Sequence, residues 1–118
     1  MISNLAALSG TVSTDPQLRE LPAGGVVAQF DVVTRIDVQS REVNQSVPVA
    51  WYDPPASALG SVSADTEIVV IGTVRRRFFR VGGATQSRTE VVADTVLPTR
   101  RRKQVAAALH AAADGLLG

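Results

Sequence analysis

Residues 66 to 80 form one extended run, Thr66-Glu67-Ile68-Val69-Val70-Ile71-Gly72-Thr73-Val74 and onward into Arg75-Arg76-Arg77-Phe78-Phe79-Arg80, with Gly72 at its middle. β-Branched residues at this density favour a strand. A glycine inside a strand marks a bulge or a sharp bend, as at the corner of a barrel. The longest element of the chain is thus expected to be a bent strand, and the remaining segments are also mostly strand-like. The alternation of Val26, Ala28, Phe30, Val32 and Thr34 against Val27, Gln29, Asp31, Val33 and Arg35 predicts a half-buried strand over 26–35.

Around these two segments the chain is punctuated by turns. A first strand over 4–13 ends at Thr14-Asp15-Pro16, where Asp can bond its own backbone and Pro presets φ. A short extended piece, Leu18 to Leu21, is followed by Pro22 and the hairpin glycines Gly24-Gly25. A polar connection over 37–45 leads to a third strand at 46–52, in which Pro48 argues for an edge or a bulge. Asp53-Pro54-Pro55 looks like a helix start, giving a short helix over 54–62. After the long fourth strand, Gly82-Gly83 closes a hairpin whose return strand runs from Ser87 to Leu97. Five strands with one short helix between the third and fourth is the element order of an OB-fold, a small all-β Greek-key barrel.

Composition removes several alternatives. With 118 residues and 45% hydrophobic content, one domain with a real core is expected. Aromatics make up only 4%, so the core must be built from Val, Ile, Leu and Ala, and an exposed aromatic becomes informative. There is no Cys, one His and one Met, which excludes a disulfide, a thiolate metal site, a Cys nucleophile and a multi-histidine cage. Carboxylates are present at Asp31, Asp37, Glu42 and Asp53, but no spacing links them to a phosphate loop or a catalytic triad. Neither an enzymatic activity nor a cofactor is expected. No apolar run is long enough to span a bilayer and no signal sequence opens the chain, so no membrane is expected and a cytoplasmic location is.

The formal charge of +1 conceals a strong asymmetry. Residues 1–74 hold three Arg against eight acids, whereas residues 75–103 hold eight Arg and one Lys against Glu90 and Asp94. Concentrated basic charge is the footprint of a polyanion partner, although a solvated face would carry the same run. Within it, Arg75, Arg77 and Phe79 share one strand face, and Arg76, Phe78 and Arg80 share the other. Either face offers guanidinium and ring together, the pair needed to neutralise phosphates and stack bases. Packing of one Phe in the core is the competing reading.

The ordered segments Leu8-Ser9-Gly10-Thr11-Val12, Asp15-Pro16-Gln17-Leu18-Arg19, Val27-Ala28-Gln29-Phe30, Val49-Ala50-Trp51, Ile68 to Arg75 and Thr89 to Asp94 resemble the bacterial single-stranded DNA-binding protein family over about residues 3–97. The resemblance implies sequence-nonspecific binding of single-stranded DNA in replication, repair or recombination, near the nucleoid. It places Phe79 where the family has a stacking Trp and Trp51 where it has a stacking Phe. Two further family aromatics have no counterpart near Val38 and near Gln45 or Val47, and Arg35, Arg41 and Arg88 could compensate by stacking. For Arg35 a pairing with Asp31 is the alternative; Tyr52 could stack or merely pack. The expected nucleic-acid-binding set is Arg35, Trp51, Arg75, Arg76, Arg77, Phe78, Phe79, Arg80 and Arg88.

Residues 1–98 are expected to form the OB-fold binding domain and residues 99–118 a basic segment with an Ala-rich helix over 104–113. The family's acidic recruiting tip is missing, which puts contacts with replication or recombination proteins in doubt. The first strand, without charge on either face, predicts a homotetramer or homodimer. His110 stands alone on the helix as a surface or packing residue. Two other readings stay open: an OB-fold interaction protein of a primosome-like or recombination complex with weak DNA binding, and an RNA-binding module.

Overall fold

The computed structural model describes residues 2–118. Its elements are β1 Ala6–Val12, β2 Gln17–Glu20, β3 Val26–Val38, β4 Arg41–Tyr52, α1 Ala56–Leu59, β5 Glu67–Val81, β6 Ala84–Pro98 and α2 Arg102–Leu117. The strands follow the order β1-β5-β6-β4-β3-β2, and β1 also pairs with β3. That extra pairing closes a five-stranded barrel, with β2 added to the free end of β3, and the OB-fold expectation holds. All pairings are antiparallel except β4 with β6, which meet in parallel at Val49 and Val91.

Closure depends on two glycines where backbones approach too closely for a side chain. At Gly10, where β1 passes from β5 to β3, an added Cβ would collide with the backbone carbonyl of Val33. At Gly72 it would collide with the carbonyl of Val92. The second site is the bend expected from the sequence. Ile71 pairs with Thr95 but Gly72 pairs with Ala93, so Asp94 is the extra residue of a bulge on β6. Inside the barrel, Phe30 and Val32 of β3, Val49 and Trp51 of β4, Ile68 and Val70 of β5, and Val91, Ala93 and Val96 of β6 form one apolar cluster.

Four local expectations need correction. The segment 37–45 is not a loop: β3 runs to Val38 and β4 starts at Arg41, with Gln39 and Ser40 making the turn at φ 51° and 65°. Two successive left-handed residues give the turn whose twist matches a hairpin, and cross-strand pairs such as Ile36 with Val43 extend the ladder. Asp53 does not cap a helix. It sits at φ 48° and its carboxylate accepts the Val26 amide at 2.9 Å, locking the β3 start to the β4 end. The helix after it shrinks to Ala56–Leu59. Finally, α2 is longer than expected and packs on β5 and β6 of its own chain through half-buried Val105, Ala108, Ala112 and Leu116. Together with Leu5 of the first predicted strand, Ala108, Ala112 and Leu116 line an apolar groove of about 350 Å³.

Candidate nucleic-acid interface

Beyond the bulge, β5 and β6 leave the barrel as a two-stranded ribbon, and exposure along β5 alternates with the two-residue period of a strand. Arg75, Arg77 and Phe79 are half-buried, whereas Val74, Arg76, Phe78 and Arg80 are exposed, Phe78 at 65%. The face division expected from the sequence is the one observed. Across the ladder Arg75 stands opposite Glu90, Arg77 opposite Arg88 and Phe79 opposite Gln86. These side chains share the outer face with Tyr52 at the end of β4.

One buried carboxylate organises that face. Glu90 is 3% exposed. Its Oε2 lies 3.4 Å from Nη2 of Arg75 and its Oε1 lies 3.1 Å from Nε of Arg77. The second contact is an ion pair by distance but not an aligned hydrogen bond. Arg75 also donates from Nη2 to the Tyr52 hydroxyl at 2.6 Å, with its guanidinium 5.3 Å from the centre of that ring. Arg77 lies 5.7 Å from the Phe79 ring centre, and on the opposite face Arg76 lies 5.8 Å from that of Phe78. Each distance is within cation–π range. The Tyr52 hydroxyl, with the burial that opposes it outweighed and the charge of Glu90 adding to it, holds the Arg75 guanidinium above its ordinary pKa. The stabilisation of a raised cation is lost only as pH rises through that alkaline value, so Arg75 stays charged throughout the neutral range.

The remaining expected residues divide by partner. Arg88 reaches Asp31 at 3.7 Å, and Arg35 reaches Glu42 at 3.6 Å rather than Asp31. Among the described residues Arg76 and Arg80 have no acidic partner; Arg80 instead donates to the Gly83 carbonyl at 2.9 Å. Trp51 departs from expectation. It is 5% exposed and belongs to the core, packed in the barrel with Phe30 and Val49. A ring so placed has no face to offer a base, and the structure puts its neighbour Tyr52, 38% exposed, on the outer face instead.

Two contributors, Glu90 and Tyr52, lay outside the expected set. Counting outward from the Gly82-Gly83 turn would have placed Glu90 opposite Arg75. Strand parity from core Val49 would have turned Trp51 inward and Tyr52 outward. As assembled, the face presents flat guanidinium and aromatic surfaces side by side. Such surfaces accept unstacked bases, and Arg76 and Arg80, which pair with no acid among the described residues, can meet phosphate from the other face of the ribbon.

The model of the single-strand binding protein family matches residues 3–99. The chain is similar to the single-stranded DNA-binding protein of Oceanobacillus iheyensis, at 30% identity over 98 residues that cover 79% of this chain and 61% of the relative. It therefore spans about three fifths of that relative's length. Among solved structures it is similar to a Plasmodium falciparum SSB complex with ssDNA, at 16% identity and a TM-score of 0.69 over 82% of this chain and 93% of that one. The last likeness is one of fold.

Proposed function

This chain belongs to the single-strand binding protein family, and from that membership we propose that it binds single-stranded DNA without sequence preference. In this reading it is not an enzyme. The observation that carries the proposal is the outer face of the ribbon, where Tyr52 and Phe79 each stand beside an arginine held against the ring. Bases stack on the rings and on the guanidinium planes, while Arg76, Arg80 and the basic run Arg100 to Lys103 neutralise phosphates. Residues 1–98 carry the binding domain in this account, and residues 99–118 supply basic charge and a packed helix. The role falls in replication, repair or recombination, in the cytoplasm at the nucleoid.

Assembly belongs to the same proposal. Over Ala6 to Ser9, β1 pairs with β5 on one edge only, because its pairing with β3 begins at Thr11. An apolar strand with a free edge is completed by the same strand of a two-fold mate. A dimer, or a tetramer built from two, follows at micromolar concentration. Light scattering checks it, and a mass near one 12.4 kDa chain would defeat it.

The test of binding is a fluorescence-anisotropy titration with labelled oligo-dT at two salt concentrations, beside RNA of equal length. Saturable binding to DNA that weakens with salt is expected; no binding at low salt overturns the reading, and preference for RNA replaces it with an RNA-binding module. One observation favours a second reading, an interaction protein that binds DNA weakly. Arg35, Arg75, Arg77 and Arg88 already face acids, so the number of arginines overstates the charge free to meet phosphate.

A further inference from the structure

A carboxylate as buried as Glu90 is costly unless cations compensate it. The two that do so, Arg75 and Arg77, are two residues apart on the same strand face, and their side chains keep 40% and 33% exposure. Without Glu90 their like charges would repel across one pleat of the sheet and both would swing toward solvent. With it, each guanidinium is drawn down to the sheet, one against Tyr52 and the other against Phe79. The exchange removes positive charge from the face and returns flatness. This is an odd choice for a surface that only attracts phosphate, and a suitable one for a surface that stacks bases.

We propose that Glu90 is a positioning residue of the nucleic-acid face: by holding Arg75 and Arg77 flat against Tyr52 and Phe79, it makes the face favour bases over the bare sugar-phosphate backbone. The inference rests on the proposed single-strand binding and deepens it. Glu90 touches no nucleic acid and acts through two arginines and, through Arg75, on the Tyr52 hydroxyl.

The experiment compares the affinity of the full chain for oligo-dT with that for an abasic oligodeoxynucleotide of equal length, which keeps the phosphates and lacks the bases. For the unmodified protein, oligo-dT should bind well over tenfold more tightly, as stacking of several bases implies. A ratio near one there would sink the stacking reading itself. Glu90→Gln preserves shape and removes charge. It should lower the dT-to-abasic ratio about tenfold, and the freed arginines should steepen the salt slope for the abasic strand by up to about 0.7 for each phosphate gained. A ratio left unchanged, whether both affinities rise or both fall, overturns the role of Glu90 while leaving single-strand binding intact. A thermal melt establishes that the variant folds. If it does not, Tyr52→Phe serves instead, since it removes only the hydroxyl that Arg75 holds. It should reduce the ratio about threefold, and no reduction overturns the proposal.

Discussion

The hairpin of β5 and β6 is one continuous ladder with two lives. Its first half, Ile68 to Ile71 against Thr95 to Pro98, forms barrel wall; its second half, Arg75 to Val81 against Ala84 to Glu90, stands clear of the barrel. The same antiparallel pairing operates in both. In the first half the even residues Ile68 and Val70 meet the core, and Val69 and Ile71 are buried too. In the second half the apolar core lies behind neither face, and the chain places arginine, phenylalanine and a single buried glutamate there. Backbone pairing sets the shape of both regions, while the packing behind them decides whether a side chain serves stability or recognition.

Changes in the barrel and its wall should move stability, and changes in the projecting half should move affinity. The largest effect tests the barrel: Trp51→Ala should cost about 3–5 kcal/mol of unfolding free energy in urea, with little change in affinity per folded molecule. If stability held and DNA binding vanished, Trp51 would be a stacking residue after all. Next, Phe79→Ala should weaken oligo-dT binding by about 1–3 kcal/mol in anisotropy titrations and leave the melting curve in place. A shifted melt would assign Phe79 to the core and erase the contrast.

Smaller effects divide the projecting half itself. Arg76→Gln combined with Arg80→Gln should flatten the dependence of log affinity on log salt by about 0.7 for each phosphate no longer neutralised. Arg88→Gln, which releases Asp31 as well as removing a cation, should change that slope by well under half as much. A slope change half that of the double variant, the value for one free cation, would show that the ion pair to Asp31 does not compete with phosphate.

Much of this contrast is legible in the residues. Alternation along 26–35 placed Ala28, Phe30 and Val32 inward, and the glycine at 72 located the bend, because both signals are local. What escaped was decided elsewhere. The 37–45 segment looks like a loop because its residues are polar, yet Ile36 and Val43 face each other across the ladder and carry the strands outward. The turn there uses Gln39 and Ser40 in place of the usual Asn and Gly, so no turn signal announced it. Trp51 and Tyr52 are adjacent aromatics, and the resemblance selects the one that is buried. Val49, Ala50 and Trp51 are all buried where β4 lies between β3 and β6, which blurs the alternation that would have fixed the phase. Glu90 reads as an ordinary acid until the register of the hairpin brings it between two arginines.

The extra residue at Asp94 acts as a half-step in a two-beat rhythm. Before it, reading back from the C-terminal end of β6, Val96 points inward; after it, Ala93 and Val91 do. Everything from there to the tip of the ribbon inherits the changed beat, including the carboxylate at position 90. Pairing Asp94 into the ladder, with no residue left over, would impose strict alternation from Val96 and exchange the two sides of the distal strand, turning Glu90 toward the apolar interior and Val91 toward the arginines, whereas deleting it would leave both where they are. The recognition surface is thus encoded less by the residues that compose it than by one unpaired residue at its base, which sets which way all of them look.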